Sequence, residues 1–180
     1  MSQKELDCQL RDAAHEGNLG RLKELLDASA DPRATSSFGR TPLHWACCNG
    51  HDGCIAPLLA ADADPNAADS ADWTPLHLAC RYGHAACIAP LLRAGADPRA
   101  EDNYYGWTPL RLACHYGRGN CIAPLLSRGA DMSAVDRGGR TPRALAEERN
   151  DERGASCIKA LDAWQRQQVG KKTKPARRRT

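Results

Sequence analysis

Seven cysteines recur at two fixed places in this chain. Cys47, Cys80 and Cys114 share the first, and Cys54, Cys87, Cys121 and Cys157 share the second. Three of the second set open the same hexapeptide, CIAPLL, at 54–59, 87–92 and 121–126. His51 and His84 stand three residues ahead of Cys54 and Cys87. Thiolates and imidazoles are zinc ligands, and a thiol beside a base can act as a nucleophile or a redox group. A zinc site needs four such ligands converging on one point, whereas these are strung out at regular intervals. In a short helix the same positions suit cysteine as a small hydrophobe. Packing is therefore the expected role, in two parallel ladders with rungs about 10 Å apart, the usual helix-packing distance. A thiol- or metal-dependent activity of the Cys and His ladders is the rival reading. Cys48 is expected to be the accessible thiol.

Other signs of catalysis are lacking. The chain has no glycine-rich phosphate loop, no G-x-S-x-G and no H-E-x-x-H. Asp31, Asp64 and Asp97 recur in ADP triplets and read as turn formers, while Glu147 and Glu148 fall on a solvated helix. No enzymatic activity, cofactor, metal or small-molecule substrate is expected. The nine cysteines are odd in number, none forms C-x-x-C, and the N-terminus resembles no secretory signal. Reduced thiols in a cytoplasmic or nuclear protein fit this better than a disulfide framework. No apolar run approaches the roughly 20 residues of a membrane helix.

The elements that carry these residues repeat. TPL occurs at 41–43, 74–76 and 108–110, and TPR at 141–143. In each unit Thr41 or its equivalent is a good N-cap and the proline suits the first helical turn. Leu43, Ala46 and Cys47 then fall on one helix face, and Gly50 ends the helix. A second helix carries Cys54, Ile55, Leu58 and Leu59. Pro57, Pro90 and Pro124 lie beyond the first turn of that helix, which predicts that it starts later or is kinked. The Asp-, Pro- and Ala-rich segment that follows reads as a turn or hairpin. Helices this short bury their apolar faces only by stacking.

The pattern TPLHxAxxxGHxxCIxxLLxxGADPxA at a period near 33 residues resembles the ankyrin-repeat family. The resemblance implies an all-α repeat solenoid of stacked helix–loop–helix units with β-hairpin fingers. Residues 1–35 would form an N-terminal capping unit, 36–135 three internal repeats, 136–168 a C-terminal capping unit and 169–180 a disordered basic tail. Three departures stand out. The first unit lacks TPLH, the last reads TPRALAEERND, and Arg111 stands where His44 and His77 do. In the family that histidine braces the finger, so the fourth unit should lack a brace. Its finger also has one extra residue, in DNYYGW. Asn66 resembles a family position open to asparaginyl hydroxylation, but a structural role in the hairpin is the expectation.

By the same resemblance, a partner protein would meet the concave face of finger tips and first helices. Register places Phe38, Arg40, Cys48 and Asn49 there in the second unit, and Trp73, Arg81 and Tyr82 in the third. The fourth contributes Tyr104, Tyr105, Trp107, His115 and Tyr116, and the fifth Arg137 and Arg140. These positions hold all the aromatic residues except Trp45 and Trp164. Aromatics and arginine are the types that dominate interface energy when buried. The expected module is a monomer that binds another protein.

The net charge of +3 is unevenly placed. Removing Lys171, Lys172, Lys174, Arg177, Arg178 and Arg179 from it leaves −3 for residues 1–170. These six cations resemble a nuclear import signal. Nucleic-acid binding through phosphate neutralisation is a weaker reading, since the tail has no aromatic to stack on bases.

Overall fold

Thr41 shows how the first helix of a unit is built. Its backbone is extended (φ −84°, ψ 168°), its hydroxyl accepts the N–H of His44 at 3.4 Å, and Pro42 occupies the first turn. Gly50 closes the helix in the left-handed region (φ 80°) with its N–H on the carbonyl of Ala46. The computed structural model describes residues 2–172, with side chains through residue 169. Ten helices lie within it: Gln3–Glu16 (α1), Leu19–Asp27 (α2), Pro42–Asn49 (α3), Asp52–Ala60 (α4), Pro75–Tyr82 (α5), Ala85–Arg93 (α6), Pro109–His115 (α7), Gly119–Ser127 (α8), Pro142–Glu148 (α9) and Glu152–Lys172 (α10).

Each odd-numbered helix packs on the even-numbered one that follows it. The odd helices also pack in one row and the even helices in a second. The core runs between the rows. Leu43, Leu58, Leu76, Leu91, Leu110 and Leu125 are fully buried there, each worth about 2 kcal/mol of apolar transfer. Cys47, Cys54, Cys80, Cys87, Cys114, Cys121 and Cys157 are buried among them. The sulfurs do not run as two separate ladders. Cys47 lies near Cys87, and Cys114 near Cys157. The inner thiol of one unit thus lies beside the outer thiol of the next.

Three sets of side chains join successive units. His51 Nε2 meets the carbonyl of His15 at 3.0 Å and His84 Nε2 that of Cys48 at 3.1 Å. Arg118 Nε donates to Arg81 O at 3.0 Å, and Arg149 Nη1 to His115 O at 2.7 Å. The accepting carbonyls lie in the last turns of α1, α3, α5 and α7, where no intrahelical partner exists. Gly50 and Gly83 permit the approach. A Cβ on Gly83 would stand 2.8 Å from Arg118 Cδ, and one on Gly50 2.5 Å from His84 Nδ1. On the opposite edge, Arg33 Nε, Asn66 Nδ2 and Arg99 Nε donate to the carbonyls of Asp62, Gly95 and Gly129 at 2.7, 2.9 and 2.8 Å. Asn66 Oδ1 also accepts the N–H of Asp97 at 2.8 Å, so its amide bridges two units. The third set is the buried histidines. His44 Nε2 lies 2.9 Å from Trp73 O, and His77 Nε2 3.1 Å from Trp107 O.

The second helix does not start late: α4, α6 and α8 begin at Asp52, Ala85 and Gly119 and contain Pro57, Pro90 and Pro124. Their first turns close tightly instead, with Cys54 N–H on His51 O, Cys87 on His84 and Cys121 on Arg118, at 2.9–3.0 Å. These three helices have no side-chain N-cap, because His51, His84 and Arg118 reach back to the preceding unit. Among the described residues no strand is present, and the fingers are hydrogen-bonded turns. In addition, α10 continues to Lys172, into the segment 169–180 expected to be disordered. Trp164 packs against the last part of the core.

Candidate partner-binding face

Each finger is built on a polar residue five or six positions ahead of the capping threonine. The N–H groups of Ser36, Asp69, Asp102 and Asp136 donate to the carbonyls of Arg40, Trp73, Trp107 and Arg140 at 2.9–3.1 Å. The same side chains accept from the tip. Asp69 Oδ1 takes the N–H groups of Ala71 and Trp73, at 2.9 and 3.0 Å. Asp102 Oδ1 takes those of Tyr104, Tyr105 and Trp107, at 3.2, 2.8 and 3.3 Å, so one carboxylate organises the finger with the extra residue. Neighbouring tips are tied by Ser70 N–H on Phe38 O, Asn103 on Ala71 and Arg137 on Tyr105, at 3.0, 3.4 and 3.1 Å.

This framework leaves four aromatic side chains in solvent. Phe38 is 66% exposed, Tyr104 67%, Tyr105 58% and Tyr82 42%. Three sit on finger tips and Tyr82 ends α5. Arg81 stacks among Trp73, Tyr116 and Tyr82, with ring centroids 4.9, 5.0 and 5.5 Å from its guanidinium carbon. Tyr105 lies 5.0 Å from the Trp107 ring, His115 4.6 Å from the other side of Trp107, and Tyr116 4.9 Å from His115. Aromatic pairs at these separations add modestly to burial itself.

Several members of the sequence-derived set are structural. Trp107 is only 7% exposed, and its indole N–H donates to Asp136 Oδ2 at 3.0 Å. Trp107, expected at the partner-facing surface, is thus largely buried, with Tyr105 beside its ring. Arg40 pairs with Asp69 at 3.1 Å and lies over Trp45; Arg140 pairs with Asp136 at 2.9 Å and Glu148 at 3.3 Å. Arg137 Nη1 donates to Tyr104 O at 3.0 Å and Asn49 Nδ2 to His15 O at 2.9 Å. Cys48 is half-buried near Arg40 and Arg81, and burial pushes its thiol up despite them. The most exposed thiol is instead Cys8. Burial also drives Cys47 and Cys80 well up, and Cys121 to about 12. Among the described residues no group of three or more His, Cys, Asp or Glu could hold a metal. Lys171 and Lys172 lie at the end of α10; Lys174, Arg177, Arg178 and Arg179 lie outside the described residues.

Two features escaped the sequence reading. The finger aspartates had a signal, an Asp five residues ahead of Thr74 and of Thr141. Arg118 had only its register, since it replaces the histidine of the GH pair, and Arg149 stands two positions ahead of that place and had no such signal.

Stacked helix pairs joined by finger turns define a repeat solenoid. The family profile described as Ankyrin repeats (3 copies) matches residues 10–102 and 58–136. The chain belongs to the ankyrin-repeat family. It is similar to the potassium channel KOR1 of Oryza sativa subsp. japonica, 44% identical over 48 residues, and to the potassium channel GORK of Arabidopsis thaliana, 42% identical over 48 residues. Each match covers 27% of this chain and 6% of the channel. Among the described residues no helix is long and apolar enough to cross a membrane.

Proposed function

We propose that this chain is a monomeric, non-catalytic interaction module that holds a partner protein on the face of finger tips and inner helices. The observation that carries this reading is the placement of Phe38, Tyr82, Tyr104 and Tyr105, large rings kept in solvent on one face of a hydrogen-bonded framework. Exposed aromatic groups of this kind are interface anchors. Because the fingers are already closed by their own backbone bonds, little ordering entropy is lost on binding. The likeness to potassium channels spans 48 residues and bears on the repeats alone; it supports no proposal of ion conduction.

The test is a double substitution, Tyr104→Ala with Tyr105→Ala, chosen because both rings are exposed and neither side chain makes a hydrogen bond in the framework. Proximity labelling in cells should lose the partners of the wild-type chain while circular dichroism stays the same. Retention of the same partners would defeat the reading. The six cations of segment 171–180 are proposed as a nuclear import signal, and deletion of that segment should shift a tagged chain out of the nucleus.

A further inference from the structure

Between the third and fourth fingers lies a concavity of about 200 Å³ lined by Arg40, Asp69, Ala71, Trp73, Arg81 and Tyr104. Small-molecule sites are usually larger, about 300–1,000 Å³; this one suits a single side chain. Its charged groups differ in what already engages them. Asp69 is fully used, with Oδ1 on two backbone N–H groups and Oδ2 on Arg40 Nε at 3.1 Å. Arg81 is not. Aromatic rings cover its guanidinium, yet among the described residues no carboxylate forms an ion pair with it.

Stacking takes up the faces of a guanidinium and leaves its N–H donors, which lie in the plane, directed outward. A cation drawn partly out of water with no counter-charge loses hydration uncompensated. A carboxylate meeting its edge restores that loss with two charge-assisted bonds in the geometry arginine favours. Arg40, also at the concavity, is already paired with Asp69, so Arg81 supplies the positive charge there that has no counter-charge, and Tyr104 borders the opening. The Lys- and Arg-rich segment 171–180 is disfavoured as the occupant by like charge.

Resting on the reading of this face as a partner-binding surface, we infer that its occupant is an acidic linear peptide segment. Arg81 binds an Asp or Glu carboxylate of that segment edge-on, and a neighbouring apolar side chain lies against Tyr104 and Tyr105.

Random linear peptides displayed on phage, selected against the full chain at physiological salt, test this directly. The selected peptides should share an Asp or Glu beside an aromatic or aliphatic residue. In the tightest synthetic peptide, changing the acid to its amide should weaken binding about tenfold, as should Arg81→Gln in the protein. The two changes together should cost little more than either alone. Arg81→Gln gives up its stacking on three rings and should lower the thermal midpoint only slightly, while circular dichroism of the free protein stays that of the wild type.

Peptides without acidic enrichment, or losses that simply add, would overturn the carboxylate assignment. If such peptides still lose binding with Tyr104→Ala and Tyr105→Ala, the face survives and only the partner's chemistry is wrong. Peptides indifferent to all three substitutions would bring down the face and the inference together. Failure to select any peptide, or displacement of the selected peptide by a single-stranded RNA oligonucleotide, would also overturn the inference.

Discussion

His77 reaches across the junction between the third and fourth units to the carbonyl of Trp107, 3.1 Å from its Nε2. Its Nδ1 accepts the backbone N–H of Thr74 at 3.1 Å, so the Nε2 carries the proton and donates it to Trp107. One buried ring therefore caps its own helix and holds the next finger. Removing it leaves a buried donor and a buried acceptor without partners, together with a cavity. His77→Ala should destabilise the chain by about 3 kcal/mol in chemical denaturation. A loss below about 0.5 kcal/mol, the usual surface effect, would show that the brace is not structural.

The same burial makes stability depend on pH. Desolvation lowers the pKa of His44 and His77 below the ordinary 6.5, although their carbonyl partners pull the other way. Below pH 6.5 the unfolded chain takes up protons that the folded chain refuses. Stability is thus fully present above that pH and falls beneath it, by up to about 1.4 kcal/mol per pH unit for each histidine. Denaturation midpoints followed through this range should show the fall, and His77→Ala should lessen its slope. A flat profile would contradict it.

Arg111 fills the histidine position of the fourth unit and turns inward. It is fully buried, with Nη1 on the carbonyl of Gly106 in its own finger and 3.5 Å from Glu101, whose side chain is exposed. Among the described residues its Nε and Nη2 find no hydrogen-bond partner. A buried cation so poorly matched costs stability. Arg111→His, which restores the residue used by the two preceding units, should raise stability by about 1–2 kcal/mol. A drop would mean that the longer finger requires the guanidinium.

Thiol chemistry follows from placement. Of the nine cysteines, Cys8 is exposed, Cys48 is half-buried and the remaining seven are buried. A thiol-reactive probe on the native protein should modify Cys8 quickly and Cys48 more slowly. The other seven should react only on unfolding, as burial holds down the reactive thiolate. Rapid native reaction of Cys54 or Cys87, or stoichiometric zinc in the purified protein, would favour the rival thiol or metal activity.

How far the sequence reveals this molecule depends on the range of the force involved. Thr41, Pro42 and Gly50 act within one helix, so their roles can be read from spacing alone. The extra residue ahead of Trp107 likewise announced a longer finger. Contacts made across units are harder to read. Nothing in CIAPLL says that Cys87 meets Cys47 of the preceding unit, or that Pro57 sits inside a helix whose first turn is tightened. Trp107 and Tyr105 are both aromatic and two residues apart, yet one is buried and the other exposed. Only the path of the finger decides between them. Arg81 looked like one more groove arginine until the structure set Trp73, Tyr82 and Tyr116 around it.

The hooks of His51, His84, Arg118 and Arg149 all point the same way, each closing the helix end of the unit before it. The stack therefore has a grammar of succession: a unit is finished by what comes after it. A unit whose successor is missing therefore keeps an open carbonyl in the last turn of its inner helix. Loss of the final unit would leave the carbonyl of His115 open, whereas loss of the first would leave His51 with nothing to close.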